Sequence, residues 1–196
     1  MTERLKILKR DLSRCYRGVR RYRWFKCILF DHLATGDITN SSIGHDLFNK
    51  LEEKGLISPT DINLLLEVTE LSRVERAKDL VRRYMIDNDV QNTLDGPKLS
   101  YYRKQLYKAM RQVDPGELQQ VIAFYEIAQY NYTNIWDVIL HLEVEKQLTD
   151  DLDQIQSLAG CLNQRGKDIL LGNERQEQVQ VRERGTQEQP TSIFGA

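Results

Sequence analysis

The sequence predicts an all-α protein built from two tandem helical bundles packed together and followed by a disordered tail. Three observations predict this fold class. Apolar residues recur at intervals of three and four positions, without the sustained alternation that marks β-strands. A pattern in the first half of the chain returns about ninety residues later. Residues 173–196 are rich in Gln, Glu, Arg and Gly and have few apolar side chains, as in disordered segments.

The repeat consists of three matches in the same order along the chain. The matching stretches are Asp46–Glu52 with Asp137–Glu143, Ile57–Ile62 with Leu148–Leu152, and Arg76–Leu80 with Arg165–Ile169. Such an ordered set indicates an internal duplication. We therefore predict four regions along the chain. They are a first domain at residues 1–86, a short linker at 87–98, a second domain at 99–172 and a polar tail at 173–196.

The first domain opens with two helices and a loop. Four apolar residues at helical spacing predict a first helix over Thr2–Tyr16. They are Leu5, Leu8, Leu12 and Tyr16. Gly18 interrupts this helix, and a second helix is predicted over Arg20–Ala34, with a wider apolar surface than one core-facing stripe requires. Turn and cap residues fill Thr35–Gly44, which predicts a loop with one short helix.

An amphipathic helix pair follows between Asp46 and Leu80. Its apolar positions are Leu47, Phe48, Leu51, Ile62, Leu65, Leu66 and Val68. Gly55 is placed to end the first helix in a left-handed conformation. Ser58 as N-cap and Pro59 at the first helical position predict the start of the second. The last helix of the first domain is predicted over Ser72–Met85.

The second domain repeats this order. Ser100 is the predicted N-cap of a helix that reaches Arg111. Asp114 caps the next helix, with Pro115 at its first position. The remaining helices are predicted at Ile135–Lys146, Thr149–Leu162 and Arg165–Leu171.

Composition limits the class of protein. With 196 residues, 40% of them hydrophobic, the chain is long enough for two domains of roughly 80 residues. The formal net charge of −1 hides a basic region, because Met1–Lys26 contains ten basic and two acidic residues. We interpret it as the solvated side of the first two helices, with binding to a polyanion as the alternative.

The cysteines and the apolar runs predict a reduced, cytoplasmic protein. Cys15, Cys27 and Cys161 are odd in number, have no paired spacing and follow no secretory leader. The longest apolar run, Cys27–Phe30, is too short to cross a bilayer, so no membrane insertion is expected.

No motif for catalysis is found. His32, His45 and His141 stand far apart and have no Cys or carboxylate at metal-ligand spacing. Phosphate-binding, nucleophile-elbow and zinc-protease motifs do not occur. We therefore expect no cofactor, no metal and no enzyme activity.

The repeated helix pair, D-L-F-x-x-L-E-E-K-G-L-I-S-P-x-D-I in its first copy, is followed in each copy by a basic residue and Asp-Leu or Asp-Ile. This arrangement resembles tandem death effector domains over roughly Leu5–Leu171. The resemblance implies two six-helix bundles of the death fold. Pairs of such domains occur in initiator caspases and in the viral and cellular inhibitors that mimic them.

The resemblance also implies partner-binding residues. Family members have a charge triad, formed by an acid that opens helix two and an R-x-D-L motif that opens helix six, and an apolar patch on helix two. In the second domain the triad would be Glu117, Arg165 and Asp168, and the patch Phe124 and Tyr125. In the first domain the motif would be Arg76 and Asp79, with Arg21 at the acid position, and the patch Cys27 and Ile28. Both copies read R-x-K-D, so either the Arg or the Lys (Lys78, Lys167) would reach the acid.

The resemblance implies a non-catalytic adaptor or regulator of apoptosis that binds other death effector domain proteins, among them the death-receptor adaptor and initiator caspases. It would recruit them or cap their assemblies, and self-association into filaments is expected. Two alternatives are open. The chain could be the N-terminal recruitment region of a larger caspase or nucleotide-binding sensor. It could also bind nucleic acid or phosphoinositide through Arg4–Lys26, of which nucleic acid is the less favoured.

Overall fold

The computed structural model of the chain describes residues 2–41, 44–90 and 98–172. These residues form eleven α-helices and one 3₁₀ turn and contain no β-strand, which confirms the all-α prediction. The helices are α1 (Thr2–Cys15), α2 (Val19–Ile28), α3 (Thr35–Asn40), α4 (Gly44–Glu53), α5 (Asn63–Ser72), α6 (Glu75–Asp87), α7 (Tyr101–Met110), α8 (Pro115–Phe124), α9 (Ile135–Val144), α10 (Leu152–Gly160) and α11 (Gln164–Leu171). The 3₁₀ turn, Ala128–Tyr130, lies between α8 and α9.

We call α1–α6 the first segment and α7–α11 the second segment. In the first segment α1 contacts α4 and α6, and α5 contacts α6. In the second, α11 contacts α7 and α10. The predicted tail at 173–196 and residues 91–97 of the predicted linker lie outside the described residues.

Helix α1 organises the first segment. Leu5 and Leu12 of its predicted apolar stripe are fully buried. The same helix buries Lys9, whose ammonium binds Asn49 Oδ1 at 2.7 Å and the carboxylate of Glu52 on α4. A buried charge requires partners of this kind, so the pair holds α1 against α4 in one register.

Gly55 ends α4 as predicted. Its φ of 69° is left-handed, which is where glycine is favoured over other residues. The amide of Leu56 then donates to the carbonyl of Leu51 at 2.9 Å, the backward bond of a Schellman motif.

The predicted start of the next helix is wrong by four positions, because α5 begins at Asn63. Ser58 closes a turn instead: its Oγ accepts the amide of Asp61 at 3.0 Å and its own amide donates to the Asp61 carbonyl at 2.8 Å. Asp61 Oδ1 in turn accepts the amide of Asn63 at 3.1 Å. The capping oxygen therefore comes from Asp61, and Pro59 lies within the turn.

Two other helix boundaries differ from the predicted ones. Helix α2 stops at Ile28, since the amides of Leu29 and Phe30 donate three residues back, to Lys26 and Cys27, and the chain continues in turns. Helix α6 begins at Glu75, because Arg73 adopts a left-handed φ of 53° and ends α5 there.

The caps of the second segment are largely those predicted. Ser100 Oγ accepts the amide of Arg103 at 3.0 Å and begins α7. Asp114 caps α8 with Pro115 at its first turn. Helix α10 is shorter than predicted, because Asp151 is its N-cap and its Oδ1 accepts the amides of Asp153 and Gln154.

The two segments meet through α2, which contacts α7 and α9. Tyr107 of α7 lies between two tryptophans, with ring centroids 5.2 Å from Trp24 of α2 and 5.3 Å from Trp136 of α9. The wide apolar surface predicted on α2 is therefore covered by the second segment of the same chain.

Candidate functional site

Glu117 lies at the start of α8 and is buried despite its charge. Its Oε2 accepts the amide of Asp114 at 2.9 Å, while Asp114 Oδ1 accepts the amide of Glu117 at 2.8 Å, which completes a capping box. Its Oε1 accepts the amide of Asn163, the N-cap of α11, at 2.7 Å. One carboxylate thus joins the start of α8 to the start of α11.

The predicted triad does not form in the second segment. Among the described residues, Glu117 has no ion pair with either Arg165 or Lys167. Each oxygen of Glu117 accepts a backbone amide instead. Asp168 accepts a hydrogen bond from Gln164 Nε2 at 2.7 Å on its own helix, and Arg165 is exposed on a groove between the segments.

The first segment cannot form the triad either. Arg76 and Asp79 are exposed near the start of α6. Arg21, at the position of the acid, donates to the carbonyl of Cys15 at 3.2 Å. Burial raises the pKa of the Cys15 thiol, Arg76 and Arg21 oppose that rise, and Asp11 adds to it. Neither Arg76 nor Asp79 forms an ion pair among the described residues.

Phe124 is the accessible part of the predicted patch in the second segment. It ends α8 and is 56% exposed. Tyr125 is half-buried beside it, with ring centroids 5.0 Å apart and planes at 80°. Burial raises the pKa of Tyr125 to about 12, so its hydroxyl is neutral at physiological pH. Tyr125 supports an exposed Phe124 that is free to contact a partner.

The predicted patch of the first segment is buried. Cys27 and Ile28 are only 2% and 1% exposed. Cys27 Sγ donates to the carbonyl of Trp136 in the second segment at 3.2 Å, and burial raises the pKa of its thiol. These residues belong to the junction between the segments and are not accessible to a separate partner.

Five of the ten basic residues in the N-terminal region, Lys6, Lys9, Arg10, Arg14 and Arg23, pair with carboxylates. Arg4 donates to the carbonyl of Asp87 at 2.9 Å, and Arg23 pairs with Asp137 at 2.6 Å across the junction. Arg14 pairs with Asp11 at 3.0 Å. The composition of this region therefore overstates the positive charge that it presents to a polyanion.

Sequence reasoning missed a buried charge cluster at the junction. Arg103 of α7 is 3% exposed and binds the carboxylates of Asp31 and Glu143, with a further bond of 2.8 Å to the carbonyl of Cys27. A signal was present in the sequence, since Leu106 at i+3 and the apolar residues at i+4 and i+7 share its helix face. That spacing places an arginine on the buried side of α7.

No family model matches the chain, and no curated protein matches it in sequence. Among the described residues, no helix combines the length and the hydropathy needed to cross a membrane. Within the same residues, no group of three or more His, Cys, Asp or Glu side chains is placed to hold a metal ion.

Proposed function

We propose that the chain is a non-catalytic adaptor or regulator that acts in the cytoplasm through homotypic contacts with other death effector domain proteins. The proposal extends to two tandem bundles of the death fold. It rests on the order of the helices. The first segment has six helices, and the second has five with a 3₁₀ turn where the first has the short α3.

The contacts within the segments support this pairing. The first and last helices of each segment pack on one another, α1 on α6 and α7 on α11. The last two helices of each segment also contact one another, α5 with α6 and α10 with α11. This parallel packing follows the sequence repeat, and it favours a duplicated bundle over a single larger one.

The observation that carries the binding role is the exposed Phe124 at the end of α8. An aromatic side chain of this exposure, held by a half-buried Tyr125, has the character of a central contact residue at an interface. Helices α2 and α8 hold corresponding places in the two segments. Because the second segment covers the apolar face of α2, each chain offers this face once, on α8. Contacts of that kind recruit partners or end a growing assembly. Glu117 is buried, so Arg165 and Asp168 in the second segment and Arg76 and Asp79 in the first stay the candidate polar contacts.

A binding experiment tests the proposal. The full chain is passed over immobilised death effector domains of a death-receptor adaptor and of initiator caspases. We expect retention, and a loss of at least about tenfold in affinity for Phe124→Asp. Ile86→Asp is the matched control, because Ile86 is 81% exposed and belongs to α6 of the first segment, whereas Phe124 belongs to the second. Failure of the unmodified chain to bind any of these domains would falsify the proposal.

A further inference from the structure

A groove of about 490 Å³ lies where the end of α5 meets α7 and α11, so both segments contribute to it. Its lining is strongly basic. The cationic side chains are Arg73, Lys104, Lys108, Arg111 and Arg165, and the carboxylates are Glu67 and Glu70. This concentration of positive charge occurs in a chain whose formal net charge is −1.

The two carboxylates of the groove are already engaged. Glu67 accepts hydrogen bonds from Lys104 at 2.7 Å and from the amides of Lys98 and Leu99 at 2.5 and 3.2 Å. Burial alone would raise the pKa of Glu67, but these bonds outweigh it and lower the pKa, so the group stays ionised. Glu70 pairs with Arg82 outside the groove at 3.4 Å.

Four cations therefore face the groove without a carboxylate partner among the described residues. They are Arg73, Lys108, Arg111 and Arg165. Arg165 is the arginine that the sequence placed in a triad with Glu117.

Two of these cations lie near one buried tyrosine. The guanidinium carbon of Arg111 lies 5.7 Å from the ring centroid of Tyr107. Burial raises the pKa of Tyr107, and both Arg111 and Arg73 oppose that rise, so both charges lie near its hydroxyl. Arg73 comes from the first segment and Arg111 from the second, which makes the cluster a composite of the two.

We infer that this groove binds a compact polyphosphate of the inositol phosphate type, either free or as the headgroup of a phosphoinositide. Its volume is in the range of small-molecule sites. Arginine donors converging from three helices suit a ligand with several phosphates, because each guanidinium binds two phosphate oxygens. The charge is confined to a concave site beside Glu67 and Glu70, whereas a long nucleic acid needs an extended basic stripe.

Phe124, which carries the proposed adaptor role, does not line the groove, whereas Arg165 belongs to both proposals and Lys108 to the groove alone. Its ligand would stabilise the folded chain as a whole, because it bridges cations of both segments. The two tryptophans of the chain both contact Tyr107, so their fluorescence reports on the groove.

The test titrates the full chain with inositol hexakisphosphate and follows tryptophan fluorescence and Tm. We expect saturable binding, a rise in Tm of about 5 °C at saturation, and weaker binding at higher salt. Arg165→Ala and Lys108→Ala should each raise Kd about tenfold. Lys167→Ala is the matched control, because Lys167 is an exposed cation on the same helix as Arg165 and does not line the groove.

A second arm identifies the source of the phosphates. Vesicles of phosphatidylcholine with and without phosphatidylinositol bisphosphate are sedimented with the chain. Retention that Arg165→Ala abolishes assigns a lipid headgroup, and binding of the free inositol phosphate alone assigns a soluble ligand. The inference is overturned if neither probe binds, if Arg165→Ala and Lys167→Ala bind equally, or if an oligonucleotide of equal charge binds more tightly.

Discussion

The Glu117 carboxylate accepts the backbone amide of Asn163 at 2.7 Å, across 46 residues of chain. A charge that the sequence assigned to an exposed triad is instead buried and structural. Its position at the starts of both α8 and α11 makes the geometry of those helices depend on one side chain.

Removing this link should destabilise the fold. Glu117→Ala loses the bonds to the amides of Asp114 and Asn163, and we expect a loss of about 2 kcal/mol in the free energy of unfolding. Glu117→Gln keeps one acceptor oxygen and should lose about 1 kcal/mol. Urea unfolding measures both. Gln119→Ala, an exposed change on the same helix, should stay within about 0.5 kcal/mol, and equal values for all three variants would contradict the prediction.

Glu143 should make stability depend on pH. Its side chain is 2% exposed and its Oε2 has no hydrogen-bond partner in the described structure. Burial raises its pKa from 4.5 to about 7, against the opposing charge of Arg103. The folded chain therefore holds a proton between about pH 4.5 and 7 that the unfolded chain releases, so the free energy of unfolding falls as pH rises through that window.

Glu143→Gln should remove this contribution. The difference in unfolding free energy between the unmodified chain and the variant should fall, by at most about 3 kcal/mol, from pH 5 to pH 8. Urea unfolding at four pH values measures it. Glu145→Gln, an exposed neighbour, should follow the unmodified chain at every pH. If the unfolding free energies of Glu143→Gln and the unmodified chain change with pH in the same way, Glu143 is not the source of the pH dependence.

Arg103→Ala should be among the most damaging single changes. It leaves Glu143 buried without its cation and removes the partner of Asp31, and we expect a loss of about 3 to 5 kcal/mol. Lys104→Ala removes a partly exposed pair at the next position and should cost no more than about 1 kcal/mol. Thermal or urea unfolding measures the loss of stability in each variant. Similar losses would mean that burial does not determine how much the ion pairs of Arg103 stabilise the fold.

The junction can be followed through Cys27. In a Cys15→Ala, Cys161→Ala variant, the Cys27 thiol is the only one left. Because it is buried and its pKa is raised, we expect reaction with a disulfide reagent at pH 8 to be at least about a hundredfold slower than in urea. Fast reaction in the folded state would indicate that the segments separate readily.

Local signals in the sequence predicted much of the fold. Ser100, Asp114 and Gly55 are confirmed because each acts on residues within four positions of itself. The helix start predicted at Ser58 was wrong because a Ser-Pro pair occurs both at helix starts and in a closed turn such as Ser58–Asp61. Asp61 supplies the capping oxygen.

The candidate site was less predictable, because its geometry depends on distant contacts. Cys27 has the expected apolar character, but only the fold shows that Trp136 covers it. The resemblance implied Glu117 as the acid of a charge triad, but its oxygens accept backbone amides, which no side-chain pattern encodes. The resemblance also implied Phe124 as a patch residue, while its exposure required the packing around Tyr125.

The cover over α2 also affects synthesis of the chain. Cys27 and the residue that covers it, Trp136, are separated by 109 residues. At typical translation rates the α2 face waits roughly 5 to 20 s before α9 leaves the ribosome. During that interval the aromatic, apolar face of α2 is open to chaperones and to neighbouring nascent chains.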